Sequence, residues 1–169
     1  FTMLSRENGQ KMQTIEAAIK ANQHQKIRMV KKMKNLTGGD FSQKKISILG
    51  LSFKPNTDDI RDSASIDMIS AIIDGGGLVR AYDPIANESM KGIFEHIQYF
   101  KSWEEACEDV DAVAIMTEWN EFRSMSIKKL KQLMNKPVLL DTRNIISVKK
   151  LKENNFNYDN VGRGDSDVD

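Results

Sequence analysis

The chain has 169 residues, 40% of them hydrophobic and 29% charged, with a formal net charge of +1 at pH 7. This composition excludes an intrinsically disordered chain, and no apolar run reaches the ~20 residues of a membrane span. One cysteine and two widely separated histidines exclude an internal disulfide, predict no metal site, and favour a reducing cytoplasm as the location.

A long helix is predicted over residues 12–36, because apolar residues such as Ile15, Ile19 and Met33 recur at helical spacing. Its apolar stripe predicts a homodimer formed through this helix. Residues 11–45 also hold nine Lys or Arg against two acidic residues, a charge that would suit a scaffold for nucleic acid or a partner. No aromatic side chain lies among the helix charges for base stacking, so they are interpreted as a solvated face and no nucleic acid is expected.

Short apolar segments after Lys45 alternate with candidate helices. The predicted strands are 46–50, 78–82, 97–100, 112–116, 138–141 and, as a sixth candidate, 158–161. The predicted helices between them are 65–74, 102–108, 126–134 and 147–154, and the last three begin with a serine that can cap a helix. The alternation predicts an α/β fold, a Rossmann-like doubly wound parallel sheet of five or six strands preceded by a long α-helix.

Ligands bind a doubly wound sheet beyond the carboxyl ends of its strands. The loop at residues 50–63 has Gly50 but lacks the G-x-G-x-x-G run that brings backbone amides to a dinucleotide pyrophosphate. It places Lys54 and Arg61 ahead of a helix instead, where cations favour an anionic ligand such as a phosphate. Pairing of both cations with the three aspartates of the loop is an equally supported alternative.

Other strand ends offer further candidates. Arg143 can present a planar fork to a phosphate, although from the local residues alone a surface ion pair, for example with Asp141, is favoured. Asp83 stands where NAD domains place a ribose-binding carboxylate, but without the glycine run the Asp83-Pro84 pair is predicted to make a turn. Cys107 has four acidic neighbours and no electropositive partner, so a structural role is predicted for its thiol.

Four separated motifs resemble a known family. They are GLSFKPNTDDIRDS at residues 50–63, AYDP at 81–84, TEWNEF at 117–122 and LLDTRNI at 139–145. In this order they resemble the C-terminal part of UDP-glucose 6-dehydrogenases, in the nucleotide-sugar dehydrogenase family, and the long helix resembles that family's central helix. The resemblance divides the chain into a dimerisation helix segment (1–40), a UDP-sugar-binding Rossmann-like domain (41–164) and an acidic tail (165–169).

The resemblance also implies a role for each cation. Lys54 and Arg143 would contact the UDP-sugar, with UDP-glucose favoured, and Arg61 would contact NAD; this chain has Thr142 where the family usually has glycine before the arginine. The family oxidises UDP-glucose to UDP-glucuronate, a polysaccharide precursor, with NAD and a cysteine nucleophile. Its glycine-rich NAD loop and that cysteine lie in an N-terminal portion, so this chain is expected to be an inactive fragment without a catalytic residue, the main NAD site being in the missing portion.

Two other functions remain compatible with the residues. One is a dehydrogenase of another UDP-sugar, of the UDP-N-acetyl-hexosamine type, and the other is a non-catalytic flavodoxin-like binding module. The spacing of Lys54, Arg61 and Arg143 favours a UDP-sugar site over the module. The first and fifth strands are expected to lie on the same side of the switch point, so that their loops border one crevice.

Overall fold

A computed structural model of the chain describes residues 13–162, so the predicted tail at 165–169 and the beginning of the helix segment lie outside the described residues. The helices are α1 (Gln13–Leu36), α2 (Ala64–Asp74), α3 (Asn87–Lys91), α4 (Trp103–Cys107), α5 (Asn120–Arg123), α6 (Ile127–Leu133) and α7 (Val148–Glu153). The strands are β1 (Lys45–Leu49), β2 (Leu78–Tyr82), β3 (Gln98–Tyr99), β4 (Ala112–Ile115), β5 (Val138–Asp141) and β6 (Asn157–Asn160). No helix within residues 13–162 is long and apolar enough to cross a membrane.

The six strands form one parallel sheet in the order β3-β2-β1-β4-β5-β6. The predicted doubly wound fold is therefore confirmed. Because the chain moves outward from β1 to β3 and then returns to the centre for β4, the topological switch point lies between β1 and β4. The expectation that the first and fifth strands lie on one side of this point is wrong, since β4 pairs with both of them and separates them.

The sheet is covered on both faces, which explains why its strands read as nearly continuous apolar runs. Strand β1 shows the alternation: Ile46 and Ile48 join the core under α1 and α2, and Leu49 joins the core on the opposite face. That opposite core is closed by α4 to α7 and includes Phe122. Two apolar layers thus hold the strand ends in a fixed arrangement.

The second half of α1 is a layer of this domain. Met29 and Met33 are buried in the core under α1 and α2, and the helix contacts α2, β5 and β6. Its first half continues the same stripe past the sheet, where the side chains of Ile15 and Ile19 are 41% and 43% exposed. The long helix is therefore an integral part of the domain over half of its described length.

Serine caps set the start of three helices, as predicted. The side chains of Ser102, Ser126 and Ser147 each accept a hydrogen bond from the backbone amide three residues ahead. Two short helices, α3 and α5, were not predicted, because four or five residues are too few to show a helical period.

Candidate functional site

The loops that follow β1 and β4 touch at the switch point. Gly50 has a φ of 91°, and a Cβ at this position would lie 2.6 Å from the Cβ of Thr117. Only glycine fits there, because other residues would meet both the contact and an unfavourable backbone conformation. The hydroxyl of Thr117 also donates to the carbonyl of Ser52 at 2.7 Å. The two loops therefore meet directly where ligands of this fold class bind.

A buried carboxylate ties these two loops to the end of β2. Asp83 is 2% exposed, and its Oδ2 accepts hydrogen bonds from the amides of Leu51 (2.7 Å) and Ser52 (3.1 Å), the Ser52 hydroxyl (3.0 Å) and the Trp119 indole Nε1 (3.1 Å). Its Oδ1 accepts from two amides of the following chain at 2.9 and 2.8 Å, which forms the predicted turn. With both oxygens engaged, this carboxylate cannot also hold the ribose hydroxyls of a dinucleotide.

Arg61 is paired within its own loop. Its Nε and Nη2 donate to the two carboxylate oxygens of Asp59 at 2.9 and 2.8 Å. Hydrogen bonds from the Arg61 guanidinium and from the Arg61 backbone amide lower the pKa of Asp59 to about 2, with a smaller contribution from the charge of Lys54. The side chain of Arg61 is 88% exposed and that of Asp59 is 35% exposed, so the pair lies at the surface. Of the three loop aspartates, Asp59 is thus the partner of Arg61.

Lys54 differs from Arg61. It is exposed on the same loop, and it forms no ion pair with any other residue in the range 13–162. Its ammonium group retains three donors for an anion that approaches the carboxyl edge of the sheet.

A backbone carbonyl anchors the guanidinium of Arg143. Its Nε donates to the carbonyl of Met116 at 2.7 Å and lies 3.2 Å from Oε2 of Glu118, with the two side chains 34% and 33% exposed. The side-chain ion pair suggested with Asp141 is not formed, because the guanidinium turns toward β4 and takes Glu118 as its partner. That contact lacks hydrogen-bond geometry, since Glu118 Oε2 is buried without a hydrogen-bond partner among the described residues. Within that same part of the chain, the two Nη groups of Arg143 make no hydrogen bond.

Asp141 shapes the backbone of the turn that carries Arg143. It is 2% exposed; its Oδ1 accepts from the Arg143 amide at 3.0 Å, and its Oδ2 from the amides of Ile145 and Ile146 at 2.8 Å each. Burial raises the pKa of Asp141 above its ordinary value, although these backbone amides act in the opposite direction. The left-handed residue of this turn is Asn144, with a φ of 55°, so Thr142 does not need the freedom of a glycine.

The predicted cations therefore lie at one edge of the sheet but in two groups. Lys54 and Arg61 belong to the loop after β1, while Arg143 comes from β5 and reaches back to β4. The sequence predicts a turn at Asp83 and marks residues 117–122 as a motif, but it does not predict that a hydrogen bond joins the two. A residue pattern cannot show that a carboxylate ending one strand will gather donors from the two strands beside it.

The lone cysteine offers no reactive group. Cys107 is buried, and burial raises the pKa of its thiol to about 12, which agrees with a structural role. Across residues 13–162, no three His, Cys, Asp or Glu side chains come together as a metal site requires.

Residues 47–148 match the UDP-glucose/GDP-mannose dehydrogenase family, UDP binding domain. The UDP-glucose 6-dehydrogenase of Rhizobium meliloti (strain 1021) is 39% identical over 151 residues, which are 89% of this chain and 35% of that protein. UDP-glucose 6-dehydrogenase TuaD of Bacillus subtilis (strain 168) is 35% identical over 161 residues, 95% of this chain and 35% of the relative. The chain thus spans about a third of the length of these curated relatives.

The fold is also that of solved structures. A UDP-glucose dehydrogenase from the hyperthermophilic archaeon Pyrobaculum islandicum superimposes with a TM-score of 0.76 over 90% of this chain and 33% of that chain. The sequences are 24% identical, so this likeness shows the fold alone.

Proposed function

The chain belongs to the UDP-glucose/GDP-mannose dehydrogenase family, whose UDP-binding domain it contains, and on this basis we propose that Lys54 and Arg143 bind the diphosphate of a UDP-sugar. The observation that carries the proposal is that both cations keep unused N–H donors at the carboxyl edge of the sheet, one on each side of the β1–β4 switch point.

The two cations suit a diphosphate in different ways. The Met116 carbonyl holds the Nε of Arg143, so the planar guanidinium can offer its Nη groups to phosphate oxygens as a fork. Lys54 adds a flexible point charge with three donors. Charge-assisted hydrogen bonds contribute about 1.5–3 kcal/mol each, so losing either cation should weaken binding about tenfold to a hundredfold.

In the complete enzyme we propose that the ligand is UDP-glucose, oxidised at the sugar C6 to UDP-glucuronate with NAD. The oxidation of an alcohol to a carboxylate removes four electrons, so two NAD molecules, bound in turn, would each accept one hydride, and water would supply the second carboxylate oxygen. The residues of this chain fit NAD only at its margin, because Asp83 is fully engaged and the loop after β1 has one glycine. Arg61 is the residue that could reach a phosphate of NAD, since one edge of its exposed guanidinium faces away from Asp59. The 169 residues would then anchor and orient the substrate, and we expect no hydride transfer from this chain alone.

Isothermal titration of the 169-residue chain tests the binding role. UDP and UDP-glucose should bind, ADP should bind more weakly, and Lys54→Ala and Arg143→Ala should each lower UDP affinity about tenfold to a hundredfold. Lys128→Ala is the matched control for Lys54→Ala, because it removes another exposed lysine, from α6, and should leave UDP binding unchanged. A chain that binds no uridine nucleotide would contradict the proposal and favour the non-catalytic module.

Kinetics on the full-length enzyme test the reaction. Lys54→Ala and Arg143→Ala should raise the KM for UDP-glucose, while Arg61→Ala should act mainly on the KM for NAD. A UDP-N-acetyl-hexosamine offered in parallel decides which UDP-sugar is used. If all three variants keep unchanged kinetics with both ligands, the assignment of these residues is wrong.

We also propose that α1 forms a homodimer interface. The exposed Ile15 and Ile19 continue the stripe of Met29 and Met33 beyond the sheet, and such an overhang needs a partner surface. Ile19→Glu should give a monomer by sedimentation velocity. Ala17→Glu adds the same charge on the opposite helix face and should leave the dimer intact; an unmutated chain that is monomeric at high concentration would contradict the proposal.

A further inference from the structure

We propose that two buried aspartates, Asp83 and Asp141, are positioning residues that each fix one cation of the diphosphate site: Asp83 fixes Lys54, and Asp141 fixes Arg143. This inference rests on the proposed function. Neither carboxylate would touch the ligand. Each would act on UDP affinity through the backbone of the loop that it holds.

Asp83, directly after β2, has a buried carboxylate. Within residues 13–162 it has no ion pair, so the buried carboxylate depends on hydrogen-bond donors alone. Three of the bonds to its Oδ2 come from Leu51 and Ser52, which lie just before Lys54, and a fourth comes from Trp119 on the loop after β4. If the Lys54 loop moved away, a buried charge would lose three of its six hydrogen-bond donors, which is strongly unfavourable. The loop is therefore held against the β4 side of the crevice.

Asp141 does the same for the other cation. It accepts from the amide of Arg143 itself and from the amides of Ile145 and Ile146. These bonds fix the backbone from which the guanidinium reaches the Met116 carbonyl at 2.7 Å. Neither aspartate bonds to the other's loop, so their effects on ligand binding should separate.

The two aspartates would increase the affinity for a diphosphate by preorganising the loops that carry the cations. A diphosphate that meets two cations on loops already held in place forms its hydrogen bonds without ordering those loops, and that ordering would otherwise reduce affinity. Displacement of either loop would move its cation away from the ligand without removing the charge, so each aspartate should control the energetic contribution of its own cation.

Crossed double-mutant cycles test this, with UDP as the probe and the 169-residue chain in isothermal titration. Alone, Lys54→Ala should weaken UDP binding about tenfold to a hundredfold, but less than about threefold when Asp83→Asn is already present. Arg143→Ala should keep its full effect in the Asp83→Asn background. The pattern should reverse with Asp141→Asn, which should abolish the effect of Arg143→Ala and spare that of Lys54→Ala. A general loss of stability cannot produce this crossed pattern.

A readout without ligand accompanies the cycles. Asn at position 83 keeps one acceptor oxygen for the turn but presents an NH₂ group to the donors of Leu51, Ser52 and Trp119. Amide hydrogen exchange should therefore accelerate at Leu51 and Ser52 in Asp83→Asn, and at Arg143 and its neighbours in Asp141→Asn. If Asp83→Asn does not fold, Trp119→Phe removes a single donor to the same oxygen and should reduce the effect of Lys54→Ala in the same direction.

The outcomes are distinguishable. An unmutated chain that binds no UDP, although its loops are protected from exchange, would overturn the proposed function and the positioning role together. UDP binding by the unmutated chain with additive effects in both cycles would overturn the positioning role alone. Coupling that is equal for both cations would also overturn it, because that result indicates a global effect of the aspartates.

Discussion

The loops after β1 and after β5 occupy equivalent places at the carboxyl edge of one sheet, yet they present their arginines in opposite ways. Arg61, near the end of the long loop at 50–63, is 88% exposed and paired with an aspartate of that loop. Arg143, in the short turn after β5, is 34% exposed and bonded to the Met116 carbonyl next to β4. A long loop can satisfy its cation locally, whereas a short turn must direct its cation to a neighbouring strand.

The two loops also differ in what holds them. The turn at Arg143 depends on Asp141, which ends the same strand. The Lys54 loop depends on Asp83 from a neighbouring strand and on direct contact with Thr117. The β1 loop should therefore be sensitive to changes at the switch point that leave the β5 turn unaffected.

Gly50→Ala should produce the largest effect, because it disrupts the loop after β1 and leaves the turn after β5 intact. The new Cβ would lie 2.6 Å from the Thr117 Cβ, at a φ of 91°. A left-handed conformation costs about 1–2 kcal/mol and overpacking about 1–3 kcal/mol, so the free energy of unfolding should fall by about 2–5 kcal/mol. Urea denaturation followed by circular dichroism measures this.

Gly38→Ala provides the matched control. Gly38 has a φ of 94° but no atom within 4 Å of a built Cβ, so only the backbone cost of about 1–2 kcal/mol should appear. Equal losses at both positions would show that the contact between Gly50 and Thr117 adds nothing to stability.

Many of the strands and helix caps could be predicted from the sequence, because they depend on local residue patterns. The apolar run at 46–50 and the serine at Ser147 depend on nearby residues, and both were located to within a residue or two. The reach of Arg143 to Met116 could not be predicted, since it depends on β4 lying between β1 and β5. The engagement of Asp83 by Trp119 has the same origin, because it joins residues 36 positions apart in the chain.

Arg143→Lys should have the next largest effect and shows how strictly the β5 turn defines its cation. Lysine keeps the charge but has neither the Nε that bonds Met116 nor the planar fork. UDP affinity should therefore fall about tenfold or more, nearly as far as in Arg143→Ala. Titration calorimetry measures the affinity, and a thermal melt of the same sample separates this loss from unfolding. Affinity restored to the unmutated level by lysine would mean that charge alone matters at this position.

Lys54→Arg should have a smaller effect, because the loop after β1 is open at this position. The exposed side chain has no ion pair within residues 13–162 that fixes its geometry, so arginine can reach the same anion by another rotamer. We expect UDP affinity to change less than about threefold. Raising the salt concentration should weaken UDP binding by the variant as much as UDP binding by the unmutated chain. A loss as large as that of Arg143→Lys would show that both loops demand a particular cation, and the contrast between them would fail.

The smallest effect concerns the two aspartates that accompany the arginines, Asp59 and Asp141. The hydrogen-bonded guanidinium of Arg61, together with the Arg61 backbone amide, lowers the pKa of Asp59 to about 2, from the ordinary 3.8. Its contribution to stability is therefore present above about pH 4 and is lost as the pH falls toward 2. Burial raises the pKa of Asp141, so the contribution of this carboxyl to stability has the opposite sign: the fold becomes less stable as the pH rises above 3.8.

Carboxyl ¹³C NMR should show the two groups titrating on opposite sides of 3.8. Arg61→Ala should return the pKa of Asp59 toward that value and leave the pKa of Asp141 unchanged. Because the Asp59–Arg61 pair lies at the surface, its removal should hardly change the unfolding midpoint at neutral pH. A pKa of Asp59 that is unchanged by Arg61→Ala would mean that the pair does not form in solution, and Arg61 would then be as free as Lys54.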